Sequence, residues 1–91
     1  MSSRSRSEIA SRILEVANGR SGDGRDGATK TEIMCKVLLS HDQLNEYIMI
    51  LTESDLLRYD GETHIYKTTE KGLRFLQAYK HIDQILKEQQ I

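Results

Sequence analysis

Two helix-start signals lie so close together that the chain between them must turn sharply. Thr29 is followed three residues later by Glu32, and Ser40 is followed at the same spacing by Gln43. In such a capping box the hydroxyl accepts a hydrogen bond from an amide at the helix start, and the acid or amide side chain accepts from the amide of the cap residue. The first helix must therefore end before Ser40, and the two helices meet at a corner, as in a helix-turn-helix.

Apolar residues at helical spacing indicate which faces of the helices are buried. The helix after Thr29 is predicted to bury Ile33, Met34, Val37 and Leu38. The helix after Ser40 is predicted to bury Leu44, Tyr47, Ile48 and Leu51. An earlier helix is expected to start at Ser5 or Ser7, of which Ser5 has the capping-box spacing with Glu8. It carries the stripe Ile9, Ile13, Val16 and Ala17. Asn18-Gly19 is expected to end it in the left-handed conformation.

A β-hairpin is predicted after the second helix of the corner. Asp60-Gly61 is typical of a two-residue turn in which both residues have positive φ. An extended segment begins at Leu56-Leu57, and the return strand 63–68 is rich in β-branched and aromatic residues. The pattern predicts a mainly α (α+β) fold: a winged helix-turn-helix with a small β-hairpin wing and a long C-terminal dimerisation helix.

The segment 19–27 contains four of the six glycines and carries Arg20 and Arg25 beside Asp23 and Asp26. One interpretation is a basic flap that touches phosphate. The other, which the alternating charges favour, is a solvated and flexible connector with nothing to bury. We therefore predict one winged domain over residues 1–68, with the flexible glycine-rich loop 19–27, followed by a coiled-coil helix over residues 69–91.

The last helix is expected to start after Thr68 or Thr69 and to run about 30 Å to the end of the chain. Gly72 is predicted to mark close packing, with Leu73 and Leu76 against the winged domain. A second face follows heptad spacing through Phe75, Tyr79, Ile82, Leu86 and Gln89. These residues could lie back along their own domain, but they extend so far that pairing in a homodimer is the simpler interpretation.

Charge is unevenly distributed, although the net charge is only −1. Residues 41–66 contain one Arg and six Asp/Glu, a net −5, whereas the segments on either side each carry +2. This balance argues against a strong, non-specific binder of nucleic acid. No apolar run reaches the 18 residues of a membrane span, the N-terminus has no secretory signal, and a single cysteine fits a reducing compartment. The expected location is cytoplasmic.

No motif for catalysis or cofactor binding is recognisable, so we expect no enzyme and no cofactor. Cys35, His41 and His64 match no zinc-ligand spacing, and we predict no metal site. Cys35 is interpreted as a partly buried apolar residue.

Candidate DNA contacts fall into two chemical classes. Lys30, Lys36, Arg58, His64 and Lys67 are predicted to contact phosphate. The base-edge candidates lie at the start of the second corner helix, where a recognition helix enters the major groove: His41, Gln43, Asn45 and Glu46. Gln43 and Asn45 suit adenine edges, and Glu46 could accept a hydrogen bond from cytosine, although its charge and that of Asp42 would repel phosphate. Arg4 and Arg6 could extend as a short arm. The alternative for each residue is an ordinary solvated surface side chain.

Three stretches resemble a known family: EIASRILEVANG, ATKTEIMCKVLLSHDQLNEYI and LTESDLLRYDGETHIYKTTEKGLRFL. They are similar to small archaeal winged-helix DNA-binding proteins, among them predicted transcriptional regulators and chromatin-associated proteins. The resemblance implies DNA binding by residues 29–53 and the wing, a nucleoid location, and a homodimer formed by an antiparallel coiled coil over residues 69–91. Glu46 stands where the family commonly has a basic residue, and Cys35 and His41 stand where it has aromatics.

The functional hypothesis is therefore a homodimeric protein that binds double-stranded DNA, as a transcriptional regulator or a nucleoid-associated factor. The alternative is a protein-interaction module on the same scaffold, with a basic protein as its partner. The acidic segment 41–66 motivates this alternative.

Overall fold

The computed structural model describes residues 4–20, 22 and 24–88. In chain order its elements are α1 Arg6–Ala17, α2 Lys30–Val37, α3 His41–Glu53, β1 Leu57–Asp60, β2 Ile65–Thr68 and α4 Glu70–Glu88. The two strands form an antiparallel hairpin. The predicted fold class, a mainly helical winged helix-turn-helix with a hairpin wing and a long last helix, is confirmed.

The three predicted N-caps are all present. Thr29 and Ser40 each form a complete capping box, with Glu32 and Gln43 respectively. Ser5 accepts from the Glu8 amide at 3.1 Å. The Glu8 carboxylate instead lies 3.7 Å from Nε of Arg12, so it supports α1 as a side-chain pair.

The left-handed helix end occurs at α2 rather than at α1. Asn18 stays right-handed, at φ −88°, because its amide still bonds to the carbonyl of Leu14 at 3.0 Å. Leu38 instead adopts φ 61° and ψ 53°. This reverses the chain direction, so Leu38 is 79% exposed whereas Leu39 is 8% exposed. The prediction that Leu38 belongs to the buried face is wrong, since the helix ends one residue before it.

The core lies where α1, α2 and α3 meet the base of the hairpin. Its best-buried side chains are Ile13, Leu14, Ile33, Val37 and Leu44. Thr68 ties β2 to α1, since its hydroxyl donates to the carbonyl of Leu14 at 2.6 Å. The predicted apolar faces of α1 and α3 therefore meet in one core, which fixes the hairpin beside the helices.

The hairpin turn is longer than predicted. Asp60 pairs with Ile65, so residues 61–64 form a four-residue connection and the predicted two-residue turn is wrong. His64 takes the left-handed conformation, at φ 58°, and its amide donates to the carbonyl of Asp60 at 2.8 Å. The Asp60 carboxylate accepts from the Glu62 amide at 3.0 Å, and this bond is the main reason that the pKa of Asp60 is lowered.

Ala28, which follows the glycine-rich segment, forms an isolated β-bridge beside β2. Ala28 and Tyr66 exchange two backbone hydrogen bonds, of 3.0 Å and 2.8 Å. Gly27, at φ 109°, lies so close to β2 that a Cβ atom would overlap the Ile65 side chain and the Tyr66 carbonyl. The expectation that the glycine-rich segment buries nothing is therefore wrong at its C-terminal end.

Thr69 caps α4, since its hydroxyl oxygen accepts from the Gly72 amide at 3.0 Å. Gly72 packs against the Leu56 carbonyl with no space for a Cβ atom, which confirms the predicted close approach. Leu76 is 4% exposed, and Leu73 packs against the core. The first half of α4 therefore packs against the winged domain, as predicted for Leu73 and Leu76.

Replacing Leu38 by glycine should stabilise the fold, because glycine adopts the left-handed conformation without a steric penalty. Glycine also makes the unfolded chain more flexible, which offsets part of this stabilisation. The net increase expected in the free energy of unfolding, measured by urea denaturation, is about 0.5–1 kcal/mol. Leu39→Ala is the control and should lose about 2–5 kcal/mol. A loss of stability in Leu38→Gly would contradict this account of the corner.

Candidate nucleic-acid interface

The N-terminal arginines contact the helices of the winged domain, Arg4 at the α2–α3 corner and Arg6 on α3. The Arg4 guanidinium donates to the carbonyls of Val37 at 2.7 Å and Leu38 at 3.3 Å. These carbonyls lie at the end of α2, where helical partners are missing and positive charge is favourable. Arg6 lies 3.5 Å from Glu46 and 5.6 Å from the Tyr47 ring centroid. Both arginines contact their own domain instead of extending as an arm.

The base-edge candidates sit on the first turns of α3 and are linked by local hydrogen bonds. Oε1 of Gln43 accepts from the Ser40 amide at 3.1 Å, which leaves the amide nitrogen of its side chain as the available donor. Asn45 donates to Nδ1 of His41 at 3.2 Å. The three side chains are thus oriented before any ligand arrives, which reduces the entropy lost on binding.

The outward face of α3 is acidic. Leu44, Ile48 and Leu51 face the core. Asp42, Glu46 and Glu53 lie on the opposite side at helical spacing and are exposed. Arg6 offsets one of these charges through an exposed ion pair, which is weakly stabilising. This face by itself repels phosphate.

The wing carries two cations on one side and aromatic rings on the other. Arg58 and Lys67 are directly opposite each other across the hairpin, so they share a face. Like charges in such a pair repel. In the described part of the chain neither side chain makes an ion pair within 4.0 Å. An external anion between them would therefore be stabilised by both.

The other side of the wing is aromatic. The Tyr59 and Tyr66 rings pack with their centroids 4.7 Å apart. The Tyr59 hydroxyl and Nδ1 of His64 are hydrogen-bonded at 2.7 Å. Burial, and secondarily the neighbouring Tyr59, raises the pKa of Tyr66. His64 is therefore held at the wing tip, away from the Arg58–Lys67 face.

The two lysines of α2 lie at opposite ends of that helix. Lys30 is its first residue and Lys36 is in its last turn. Between them Glu32 accepts from the amides of Thr29 at 2.9 Å and Gly22 at 2.8 Å, and these two bonds lower its pKa. The hydrogen bond from the Gly22 amide to the Glu32 carboxylate thus ties the glycine-rich loop to α2.

The predicted contacts fall into three groups: Lys30 and Lys36 on α2; His41, Gln43 and Asn45 on α3; and Arg58, His64 and Lys67 on the wing. Of these, the structure brings together the pairs Arg58–Lys67 and His41–Asn45. The sequence does not predict the tyrosine pair of the wing. A two-residue turn at Asp60-Gly61 would set a different strand register, in which Tyr59 and Tyr66 are not opposite each other.

The second half of α4 exposes an apolar face. Ile82 and Leu86 are 56% and 57% exposed, and neighbouring Ile85 is also exposed. Phe75 and Tyr79 continue this face as near-parallel rings 6.5 Å apart, although Phe75 also packs partly on the core. Gln89, the last predicted interface residue, lies outside the described residues.

The described residues include neither a metal-binding cluster nor a helix that could span a membrane. Among these residues no three acidic, histidine or cysteine side chains cluster to hold a metal ion. None of the helices described has the length and hydropathy needed to cross a membrane. Cys35 is exposed, so the expectation of partial burial is wrong. It lies on the outer side of α2, between Met34 and Lys36.

The stability of two Gln43 variants, measured without a ligand, tests the role of this side chain in the helix cap. Gln43→Ala loses the bond to the Ser40 amide and should lower the free energy of unfolding by about 0.5–1.5 kcal/mol. Gln43→Glu retains an acceptor and places negative charge at a helix N-terminus, so its stability at neutral pH should match or exceed that of the parent. Urea denaturation measures both. Equal losses in the two variants would contradict a capping role.

Comparison with known proteins agrees with this architecture. A family model described as winged helix-turn-helix matches residues 3–87. No curated protein matches the chain significantly. The matched range includes the capped corner, the wing and nearly all of α4. The chain therefore belongs to the winged helix-turn-helix family.

Proposed function

We propose that this protein binds double-stranded DNA as a homodimer and acts as a transcriptional regulator or a nucleoid-associated factor. The observation that carries the proposal is the pairing of a capped, exposed α3 N-terminus with a wing that holds two cations lacking ion-pair partners among the described residues. Winged helix-turn-helix domains are typically DNA-binding. The residues that would make the contacts are those predicted from sequence.

In this proposal the N-terminal turns of α3 enter the major groove. The side-chain amide nitrogen of Gln43 and the amide of Asn45 are the donors suited to base edges, with His41 beside them. Lys30 and Lys36 hold phosphates from α2, while Arg58 and Lys67 hold them from the wing. His64 contacts the backbone from the wing tip.

The acidic face of α3 limits how the helix can approach. The N-terminal end suits insertion best, because it carries only Asp42 of the three outward carboxylates, whereas Glu46 and Glu53 lie further along the helix. With so few cations per protomer, the salt-dependent electrostatic part of the affinity would be modest, and two linked winged domains would compensate. The homodimer is thus part of the binding mechanism.

Dimerisation is proposed through residues 69–91. The exposed residues Ile82 and Leu86 support it, since an apolar stripe that extends beyond its own domain is stabilised by a second copy. Phe75, Tyr79 and Gln89 complete the seam. The family resemblance suggests an antiparallel pair, which would place the two winged domains at opposite ends.

A second function is favoured by one observation, the acidic outward side of α3. Asp42, Glu46 and Glu53 lie there together with Met49, which is 55% exposed. A basic protein partner would match this combination of carboxylates and apolar surface. Recovery of a stoichiometric protein partner without nucleic acid would favour this function over the first.

Titration of the full chain with duplex DNA at low and moderate salt tests DNA binding. Lys30→Ala should weaken binding to all sequences similarly, because a phosphate contact carries no sequence information. Gln43→Glu should alter the preference among sequences, since it replaces a donor by an acceptor while keeping the helix cap. Arg74→Ala, on the exposed side of α4, is the charge control. The absence of binding to any duplex at low salt would reject the proposal.

The dimer is tested by sedimentation equilibrium. The parent should be a dimer, and Ile82→Glu should be a monomer, because a carboxylate cannot be buried at the seam without a partner. Gln84→Glu adds the same charge on the opposite side of α4 and should remain dimeric. A monomeric parent, or a dimeric Ile82→Glu variant, would contradict the predicted seam.

A further inference from the structure

We propose that the glycine-rich loop 19–27 and the wing together form an additional binding site for a phosphodiester backbone. The site is the loop–wing hollow, the concavity between this loop and the hairpin, where Arg20 and Arg25 join Lys67. It extends the DNA contacts beyond α3 and the wing, and it rests on the proposed function for the identity of the polyanion as DNA.

The loop is anchored at several points. Its ends are closed by a backbone hydrogen bond of 2.8 Å from the Gly27 amide to the Gly19 carbonyl, and Arg20 and Asp26 form an antiparallel bridge. The Gly22 amide donates to the Glu32 carboxylate at 2.8 Å, which ties the loop to α2. Arg20 therefore projects from a defined base and not from an open connector.

The base of the loop is docked on the wing. Gly27 contacts Ile65, and only a residue without a Cβ atom fits there. Ile65 is 1% exposed, yet it lies outside the main core cluster. The loop therefore has an apolar residue to cover, and this packing places its arginines beside β2.

The loop–wing hollow has a volume of about 400 Å³. Among the described residues, its charged lining consists of Arg20, Arg25 and Lys67 with Asp26 and Asp60. Arg58, opposite Lys67, lines an adjoining hollow that shares Asp60. The described lining of the two hollows thus has four cations and two carboxylates, an excess of +2 in a chain whose net charge is −1.

Neither Asp26 nor Asp60, the two carboxylates in the described lining, neutralises the site strongly. Asp60 already accepts from the Glu62 amide in the turn. Asp26 lies 3.7 Å from Nε of Arg20, with both side chains 78% exposed, and such a pair is worth little in water. A phosphate can accept two N–H bonds from one guanidinium, so it competes well for Arg20.

Two adjoining hollows favour a chain of phosphates over a single anion. The cations are spread from the loop, through Lys67, to Arg58 on the far strand. One small anion would neutralise only part of this row. Successive phosphates of one strand would neutralise more of it and would also relieve the repulsion between Arg58 and Lys67.

The test compares two double variants of the full chain that lose equal charge. Arg20→Ala/Arg25→Ala removes the loop cations. Arg12→Ala/Arg74→Ala removes two exposed arginines whose ion-pair partners lie on their own helices. Duplex affinity is measured from 50 to 200 mM salt. Each lost phosphate contact should reduce the log–log salt slope by about 0.9, so the loop variant should lose about 1–2 in slope and the control nothing.

A third variant changes the charge in the opposite direction. Asp26→Asn removes a carboxylate from the hollow and should tighten duplex binding several-fold. Circular dichroism and thermal melting of each variant should match the parent, because the altered side chains are exposed. A variant that unfolds is replaced by Arg20→Gln, which keeps most of the side-chain volume without the charge.

The outcomes distinguish failure of the loop–wing site from failure of the proposed DNA binding. If the parent binds no duplex, the proposed function fails and this site fails with it. If the parent binds and the loop variant keeps the parental slope and affinity, the site alone is overturned. If inorganic phosphate at matched phosphate concentration displaces the duplex as well as competitor DNA does, the hollow holds a free anion, which also overturns the proposal.

Discussion

The left-handed backbone at Leu38, held between the end of α2 and the Ser40 capping box, sets the geometry on which the rest of the domain depends. It turns Leu39 into the core and directs the N-terminus of α3 towards solvent. Arg4 supports the same point through the last carbonyls of α2. Because Leu38 pays a steric penalty at positive φ, the packing of Leu39 and the cap at Ser40 must together offset it.

Electrostatics reconciles the proposed binding of DNA with a chain whose net charge is −1. The segment 41–66 has a net charge of −5, but folding separates its charges. Carboxylates line the outward side of α3, whereas Arg58 lies opposite Lys67, and Lys67 shares the loop–wing hollow with the arginines of the loop. Binding in this account is therefore divided: the capped end of α3 provides donors for bases, and the wing with the loop provides charge.

The sequence predicts local features well because they depend on neighbouring residues. The caps at Thr29 and Ser40, the close approach of Gly72 and the burial of Leu76 all follow from short-range patterns. The prediction for Leu38 is wrong because helical periodicity does not reveal where a helix ends. The prediction for the hairpin turn is wrong because Asp60-Gly61 fits a two-residue turn locally, whereas the pairing of Ile65 with Asp60 and the conformation of His64 decide the register. Loop docking on Ile65 is a long-range contact, and no local signal except Gly27 anticipates it.

Amide chemical shifts of the full chain, followed by NMR during titration with a short duplex, test the central claim most directly. Large changes are expected in three places: the first turns of α3, the hairpin strands and the loop around Arg20. The exposed apolar side of α4 should change little, because it is proposed to contact a second copy of the chain. Changes confined to the acidic outward side of α3 or to α4, or no changes at low salt, would contradict the account.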